Sequence, residues 1–160
     1  MSSQILVAIR VRATPERAFE VFTSEVGLWW RPNRLFRFTH RSPGVLAFEP
    51  GVGGRFLEQW PDGANFEIGH ITAWEPGVRL AFTWRREAFA PGQMTNVEVR
   101  FEPVETETRV TVVHHGWETV PPEHVARHSF PDRVFLHRHG EWWQALLSAY
   151  KASLSHFGQS

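Results

Sequence analysis

The spacing of apolar residues predicts the secondary structure of most of the chain. Within Gln4–Arg12, apolar side chains alternate with the period of two residues that is typical of a β-strand. The segment Thr14–Glu16 then supplies a hydroxyl for a helix N-cap, a proline at the first helical position and a carboxylate in the first turn. Apolar residues recur at helical spacing over Ala18–Val26, and a second short helix or turn fits the residues before Pro32.

Six further apolar segments, each bounded by turn residues, predict six more strands. The connections are short and contain Pro-Gly, Asp-Gly or Glu-Thr-Glu, which allow hairpins, whereas a parallel pair needs a crossover of about a dozen residues or more. We therefore expect an antiparallel meander. The six predicted strands are Gly44–Glu49, Gly53–Trp60, Asn65–Glu75, Val78–Arg86, Met94–Glu102 and Arg109–His115.

The longest periodic segment is Asp132–Phe157, where apolar residues follow the 3.6-residue spacing of an amphipathic helix and Gly158 marks its end. A proline-containing loop, with one helical turn around Glu123–His128, precedes this helix. An antiparallel sheet needs cover on one face, and this helix is the element that can provide it. We predict an α+β fold in which a seven-stranded antiparallel sheet wraps around the C-terminal helix, as one domain over residues 1–160 with no repeat or linker.

Charge and composition narrow the classes of function. Seventeen basic and seventeen acidic residues give zero formal charge, so the chain has no field that would favour nucleic acid. No stretch reaches the length of a membrane span, and the first ten residues do not form a signal peptide, so we expect a cytoplasmic protein. The absence of cysteine excludes disulfides and thiolate catalysis. Lys151 is the single lysine beside sixteen arginines, which indicates a bacterial, GC-rich coding bias.

A series of short motifs extends over nearly the whole chain. They are Thr14–Phe19, Trp29–Trp30, Gly53–Phe56, Gly69–Ile71, Trp74–Pro76, Leu80–Trp84, Val110–Trp117 and Gly140–Trp143 followed by Leu146 and Leu147. In this order they resemble the START-like, or SRPBCC, superfamily, and within it the bacterial proteins similar to the C-terminal domain of the activator of the heat-shock-protein-90 ATPase. The resemblance implies a helix-grip fold with a cavity. It also implies a range of functions, because the superfamily includes lipid carriers, plant-hormone binders and polyketide cyclases or aromatases. The chain departs from the pattern in its doubled Trp142–Trp143 and in His115, where a small hydroxyl residue is common.

Aromatic residues are abundant, with eight Trp and thirteen Phe, and strand alternation places many of them on the same faces as Glu58, His70 and His114. Burying such polar groups without partners costs about 1–3 kcal/mol each, so a neighbouring side chain, water or a ligand must satisfy them. We predict that a small hydrophobic or aromatic molecule binds between the sheet and the C-terminal helix. The residues predicted to line this space are Trp60, Phe66, His70, Phe82, Trp84, Val99, Val112, His114, Phe135, Trp142 and Leu146.

Two details of this site are left open by the sequence. Trp29 and Trp30 follow the first helix, where they either guard the mouth of a pocket or plug the core. By parity, Arg55 lies on the face opposite Glu58, and we expect it to be a solvated sheet residue. The aromatic rings themselves either pack into a solid core or leave a cavity.

Catalysis and metal binding are alternatives with weaker support. An enzyme similar to a polyketide cyclase would use His114 or His70 as a proton shuttle with Glu58 as its partner. The sequence contains no nucleophile elbow or phosphate loop, so enzyme activity is the less favoured expectation. The spacings His124 to His128 and His137 to Glu141 suit metal ligands, but no compact third ligand accompanies them, and we expect neither a metal nor another cofactor.

Protein interaction is the third alternative. Eukaryotic relatives implied by the resemblance assist a chaperone, and an exposed patch formed by Trp29, Trp30 or Trp117 could bind a protein. The separate N-terminal domain of those co-chaperones has no counterpart in this sequence, so chaperone activation is not expected. A homodimer formed through such a patch stays open.

Overall fold

The computed structural model describes residues 4–30, 39, 44–85, 94–116 and 132–157, with side chains described from 140 to 154 in the last range. In chain order the strands and helices are β1 (Gln4–Val11), α1 (Pro15–Ser24), α2 (Val26–Trp29), β2 (Val45–Phe48), β3 (Arg55–Gln59), β4 (Asn65–Glu75), β5 (Arg79–Trp84), β6 (Thr95–Val104), β7 (Glu107–His115) and α3 (Asp132–Phe157).

The seven strands form one antiparallel sheet in the order β1-β7-β6-β5-β4-β3-β2. The sheet curls around α3, so the predicted helix-grip α+β fold is confirmed. The strand bounds differ most at the β6–β7 hairpin, where the sequence predicts strands that end at Glu102 and resume at Arg109. Val104 still pairs with Glu107, so the hairpin closes with Glu105 and Thr106 alone.

The sequence signals at the start of α1 form the cap that they predict. The hydroxyl of Thr14 accepts a hydrogen bond from the backbone N–H of Arg17 at 3.1 Å, and Pro15 begins the helix. The buried face of α1 includes Phe19 and Phe22, which contact Phe101 on β6 at ring-centroid distances of 5.3 and 5.9 Å. The first helix therefore packs against the same concave face of the sheet as α3.

A stripe of large side chains anchors α3 to this concave face. Its spacing of three and four residues puts the stripe on one side of the helix. Trp142, Trp143, Leu146, Leu147, Tyr150 and Leu154 are all buried. The hydroxyl of Tyr150 donates to the carbonyl of Ala18 at 2.6 Å, which ties α3 to α1. Within the described ranges, no helix has both the length and the apolarity needed to cross a membrane.

Two β-bulges in β4 change which of its residues face the helix. Gly69 pairs with Phe56 and Glu67 pairs with Leu57, so Ile68 is an extra residue against β3. Thr72 is likewise extra against β5. Each bulge shifts the side-chain alternation by one residue. The face toward the helix therefore carries Phe66, Ile68, Ile71 and Trp74.

Candidate functional site

Aromatic side chains fill the centre of the concave face beneath α3. The ring of Trp30 lies 5.2 Å from Phe56, 6.2 Å from Trp142 and 5.0 Å from Trp143, measured between centroids. The rings of Phe82 and Phe56 pack in a T-shaped arrangement with centroids 5.1 Å apart. These are the separations of packed aromatic pairs in a protein interior. Trp30 is 1% exposed and Trp29 is 2% exposed, so both side chains fill the core. The expectation that either of them forms an exposed patch for protein binding is therefore wrong, because the core covers both rings.

His114 lies within this core and has a protein partner at each ring nitrogen. The indole N–H of Trp143 donates to Nδ1 at 3.2 Å, and Nε2 lies 2.7 Å from the hydroxyl of Thr95. An indole nitrogen can only donate, so Nδ1 is the acceptor and the ring proton resides on Nε2. The Thr95 hydroxyl in turn donates to the carbonyl of Trp84 at 3.0 Å. This chain of hydrogen bonds joins α3 to β7, β6 and β5.

Burial holds the pKa of His114 well below its ordinary value of 6.5, and the neighbouring His115 lowers it further. The charged imidazolium would lose hydration and would also lose its bond from Trp143, since a protonated Nδ1 cannot accept. His114 is therefore neutral near pH 7. Both of its nitrogens hold the core together, an arrangement that favours a structural role over a proton shuttle.

The concave face is different toward β2 and the start of β4, where three aromatic side chains are only half-buried. We call Phe48, Trp60 and Phe66 the aromatic rim. Phe48 stacks on Phe56 with ring centroids 4.3 Å apart and an angle of 12°. One face of the rim thus packs on the core while part of its surface stays accessible.

Glu58 lies at the middle of the aromatic rim and is fully buried. It pairs with Phe66 across the sheet, and Trp60 follows two residues later on the same side. Its Oε2 accepts a hydrogen bond from the backbone N–H of Gly44 at 2.8 Å, while Oε1 lies 3.5 Å from the hydroxyl of Thr39. One carboxylate is therefore fixed among aromatic rings.

Gly44 is needed for this arrangement. A Cβ atom at that position would lie 2.8 Å from Cγ of Glu58 and 3.0 Å from Cε2 of Trp60. Both side chains therefore contact the same glycine, which confirms that they share one side of the sheet. Arg55 is on the opposite face, where it pairs with Glu49 at 2.8 Å between Nη2 and Oε2, so the predicted separation from Glu58 is confirmed.

Apart from His70, the residues predicted to line the site separate into three groups. Most lie in the packed core, namely Phe82, Trp84, Val99, Val112, His114, Trp142 and Leu146. Trp60 and Phe66 belong to the half-buried aromatic rim. The side chain of Phe135 lies outside the described residues. Ligand contact by any of these residues stays a prediction.

The placement of His70 on the helix-facing side is wrong. His70 is exposed and pairs with Arg55 on the outer face, where its backbone N–H donates to the hydroxyl of Thr83 at 3.0 Å. The bulge at Ile68 is the physical reason, because it moves Ile71 rather than His70 toward the helix. Thr72 is exposed for the same kind of reason. A catalytic pair of His70 and Glu58 therefore does not assemble.

Sequence patterns alone did not select several residues that shape the site. Phe48 belongs to a strand too short to show its alternation clearly. Thr95 and Trp143 became relevant only through their contacts with His114, which lies 19 and 29 residues away along the chain. The register of β6 against β7, with Val97 opposite His114, is the information that would have placed Thr95 nearby.

Other candidate sites in the described part of the chain have less support. Two open grooves lie at the opposite end of the sheet, near the β4–β5 and β6–β7 turns, and are lined mainly by charged residues such as Arg79 and Glu107. The side chains of His124, His128 and His137 lie outside the described residues. Among those that are described, no three histidine or acidic side chains are grouped to hold a metal ion.

The curled antiparallel sheet around a C-terminal helix defines the class, a helix-grip protein. A family model described as "Activator of Hsp90 ATPase homolog 1-like protein" matches residues 12–149. The match covers most of the chain, so the chain belongs to this family, and the resemblance seen in its sequence is confirmed. No curated protein matches the chain.

Solved structures with the same fold have various descriptions. A protein from Mesorhizobium loti has 19% identity and a TM-score of 0.66, with 96% of this chain and 97% of that chain covered. An HSP90 activator from Plasmodium falciparum has 19% identity and a TM-score of 0.63, with 96% of each chain covered. DynU16, from the dynemicin biosynthetic locus, has 19% identity and a TM-score of 0.65, with 96% of this chain and 47% of that chain covered. At such identities the similarity shows the fold alone.

Proposed function

We propose that this protein binds a small hydrophobic or aromatic molecule at the aromatic rim, between the β2–β4 part of the sheet and α3. The observation that carries the proposal is the partial exposure of Phe48, Trp60 and Phe66 on a concave face whose centre is fully packed. Large aromatic surface at a concavity, with a polar group beside it, is the usual composition of a small-molecule site.

The exposed area is enough to matter energetically. An aromatic side chain buries roughly 150–250 Å² when fully covered, and apolar area contributes about 25 cal/mol per Å². Covering the remaining quarter or so of each of the three rings would therefore contribute on the order of 4 kcal/mol, and the ligand's own buried apolar area contributes a comparable amount, before the entropic cost of binding is subtracted. After that cost, the net energy is compatible with roughly millimolar affinity for a small ligand.

The packed centre would then support the site instead of lining it. Phe48 stacks on the ring of Phe56, and Phe82, which reaches over from β5 on the far side of β4, lies 5.1 Å from each of them between ring centroids. Interlocked rings of this kind restrict the rotamers of the rim. A rim held rigid before binding loses less conformational entropy when a ligand docks.

Fluorescence titration with N-phenyl-1-naphthylamine, an apolar dye that brightens in apolar surroundings, tests the proposal. We expect saturable binding to the wild-type protein and at least about fivefold weaker binding to Phe66→Ala and Trp60→Ala, because each loses ring contact of about 1 kcal/mol or more. Leu6→Ala is the matched control, since Leu6 is 60% exposed on the outer face of β1. Equal loss in all three variants, or no saturable binding, would contradict the proposal.

A chaperone-associated role is a second candidate, favoured by the family's description and by the HSP90 activator among the structural neighbours. Stimulation of a purified Hsp90 ATPase by this chain would establish the chaperone-associated role.

DynU16 motivates a test of polyketide conversion. An enzyme role would require turnover of a polyketide that is lost in Glu58→Gln. Both ring nitrogens of His114 are hydrogen-bonded within the core, which weighs against a role for His114 in such an enzyme. A homodimer stays a prediction that sedimentation equilibrium can check.

A further inference from the structure

We propose that the ligand of the aromatic rim is a planar aromatic ring system that stacks on the open face of Phe48, and not a saturated ring or an alkyl chain of similar size. This inference rests on the proposed function and specifies its ligand class. The juxtaposition that supports it is a stack of two rings, Phe56 and Phe48, that ends at the edge of the sheet.

The two stacked rings follow the direction from one strand to the next. Phe48 pairs directly with Phe56 in the register of β2 and β3, and the rings are nearly parallel, with an angle of 12° and centroids 4.3 Å apart. The line between the centroids therefore runs from β3 to β2. Because β2 is the last strand in the order of the sheet, the second face of Phe48 is directed beyond the edge, where none of the described strands supplies a further ring.

Phe82 does not cover this second face of Phe48. Its centroid lies 5.1 Å from that of Phe48 and 5.1 Å from that of Phe56, with interplanar angles of 68° and 69°. A ring on the outer face of Phe48 would be nearer to Phe48 than to Phe56, so a ring equally distant from both lies beside the stack. Among the described residues, Phe56 and Phe82 are the rings that contact Phe48, and Phe48 keeps part of its surface exposed.

A planar aromatic ring fits an open ring face better than a saturated ring does. Stacked aromatic rings attract each other beyond the contribution of the apolar area that they bury. A saturated ring carries hydrogens above and below its mean plane, so it cannot approach Phe48 as closely as Phe56 does on the other face.

The packing behind the stack disfavours a chain-like ligand. An alkyl chain gains most of its binding energy from a deep apolar channel that surrounds it. The ring of Trp30 lies behind the stack, with centroid distances of 5.2 Å to Phe56 and 6.5 Å to Phe82, so this part of the interior is occupied. A flat ring needs only the exposed face of Phe48.

Two probes with the same carbon skeleton and one hydroxyl separate the ligand classes: 2-naphthol, which is planar and aromatic, and decahydro-2-naphthol, which is saturated. Titrations followed by ¹H–¹⁵N NMR at pH 7 give both dissociation constants. The wild-type protein should bind 2-naphthol at least about fivefold more tightly, the effect of one aromatic stacking contact. Burial of apolar area alone would favour neither probe or slightly favour the saturated one, which is the more apolar.

Variants of Phe48 test where the aromatic probe binds. Phe48→Leu keeps an apolar side chain but removes the ring face, so the affinities for the two probes should come within about twofold of each other. Phe48→Tyr is the matched control, because it keeps the ring face, and it should retain the preference of the wild-type protein.

The outcomes also distinguish this inference from the proposed function. Equal affinity of the wild-type protein for both probes, or tighter binding of the saturated one, would overturn the aromatic preference and leave binding at the rim standing. A preference that persists in Phe48→Leu would overturn the role of Phe48. If neither probe nor the apolar dye binds, the proposed function fails, and this inference with it. The wild-type comparison needs no variant, so poor folding of Phe48→Leu would not prevent a decision.

Discussion

His114 shows how a polar residue is accommodated in an aromatic core. Its neutral ring uses one nitrogen as donor to Thr95 and the other as acceptor from Trp143, so the cost of burying it is offset by two hydrogen bonds. The ring of Trp84 packs edge-on against it with centroids 4.8 Å apart. Only the neutral form fits this arrangement, which links the stability of the fold to pH.

We expect the protein to lose stability as the pH falls below about 6.5. The unfolded chain takes up a proton at the ordinary pKa of 6.5, whereas burial lowers the pKa of His114 in the fold, so the contribution is complete above 6.5 and is lost as the pH falls toward that lowered value. The limiting slope is about 1.4 kcal/mol per pH unit. Urea unfolding of wild type and His114→Gln between pH 7 and 5 measures it. His115→Gln, altered at an exposed neighbour, should retain the slope, and an equal slope in all three proteins would contradict the assignment.

Glu105 adopts a left-handed backbone conformation, with φ of 60°, in the two-residue turn between β6 and β7. Asparagine tolerates this conformation better than glutamate does. The ion pair that would be lost, 3.9 Å from Arg10, is exposed at both ends and contributes little. Glu105→Asn should therefore raise the free energy of unfolding by about 0.5–1 kcal/mol in urea denaturation. Glu105→Gln removes the same charge without relieving the backbone and should show no gain. A gain of equal size in both would point to charge instead of conformation.

At the level of single elements, β4 is the strand that deviates most from a regular pattern. Its two bulges change the side-chain phase twice within a few residues, so that Phe66 and Trp74 face the helices while His70 and Thr72 face outward. Between the bulges, Gly69 lets the backbone approach β5 more closely than a side chain would permit. The same segment thus sets both the curvature of the sheet and the composition of its concave face.

Gly69→Ala should be strongly destabilising, by roughly 3 kcal/mol or more, because a Cβ at that position would lie 1.8 Å from the carbonyl oxygen of Thr83. Thermal unfolding followed by circular dichroism measures the loss. Gly140→Ala in α3 is the contrasting control. Its Cβ would meet only Cγ2 of Ile5 at 3.7 Å, and alanine favours a helix, so stability should rise by about 0.5–1 kcal/mol. Similar losses in both variants would show that close approach is not what Gly69 provides.

The whole molecule depends on how α3 is held, because its buried stripe covers the concave face of the sheet. Two buried polar contacts complement its apolar stripe: Trp143 to His114 on β7, and Tyr150 to the carbonyl of Ala18 in α1. Burial raises the pKa of Tyr150, so its hydroxyl keeps the proton that it donates. These contacts set the orientation of α3 about its axis, which apolar contacts alone specify less strictly.

Tyr150→Phe should lower the free energy of unfolding by about 1–2 kcal/mol, since the ring packing is kept and one buried hydrogen bond is lost. Equilibrium urea denaturation gives the value. Ser148→Ala, at an exposed position of the same helix, should remain within about 0.5 kcal/mol of wild type. A Tyr150→Phe protein as stable as wild type would mean that the tie between α3 and α1 contributes nothing.

The sequence by itself determined the number, order and type of the elements. Apolar period and turn residues are local properties, so the seven strands, the capped α1 with Thr14 and the long α3 could be predicted within a few residues. Strand parity also placed Glu58 and Arg55 on opposite faces, because β3 continues without a bulge through both positions on its own strand.

Only the tertiary structure decided which of these side chains are accessible to solvent and which polar groups have hydrogen-bond partners. The bulges that turn His70 outward arise from pairing between strands, and the partners of His114 come from other elements of the fold. Phe66 stays half-buried while Phe82 is closed over, although both alternate correctly along their strands. The period of apolar residues indicates which face of the strand a side chain lies on. Its exposure depends on the residues that pack over that face, and these residues come from distant parts of the chain.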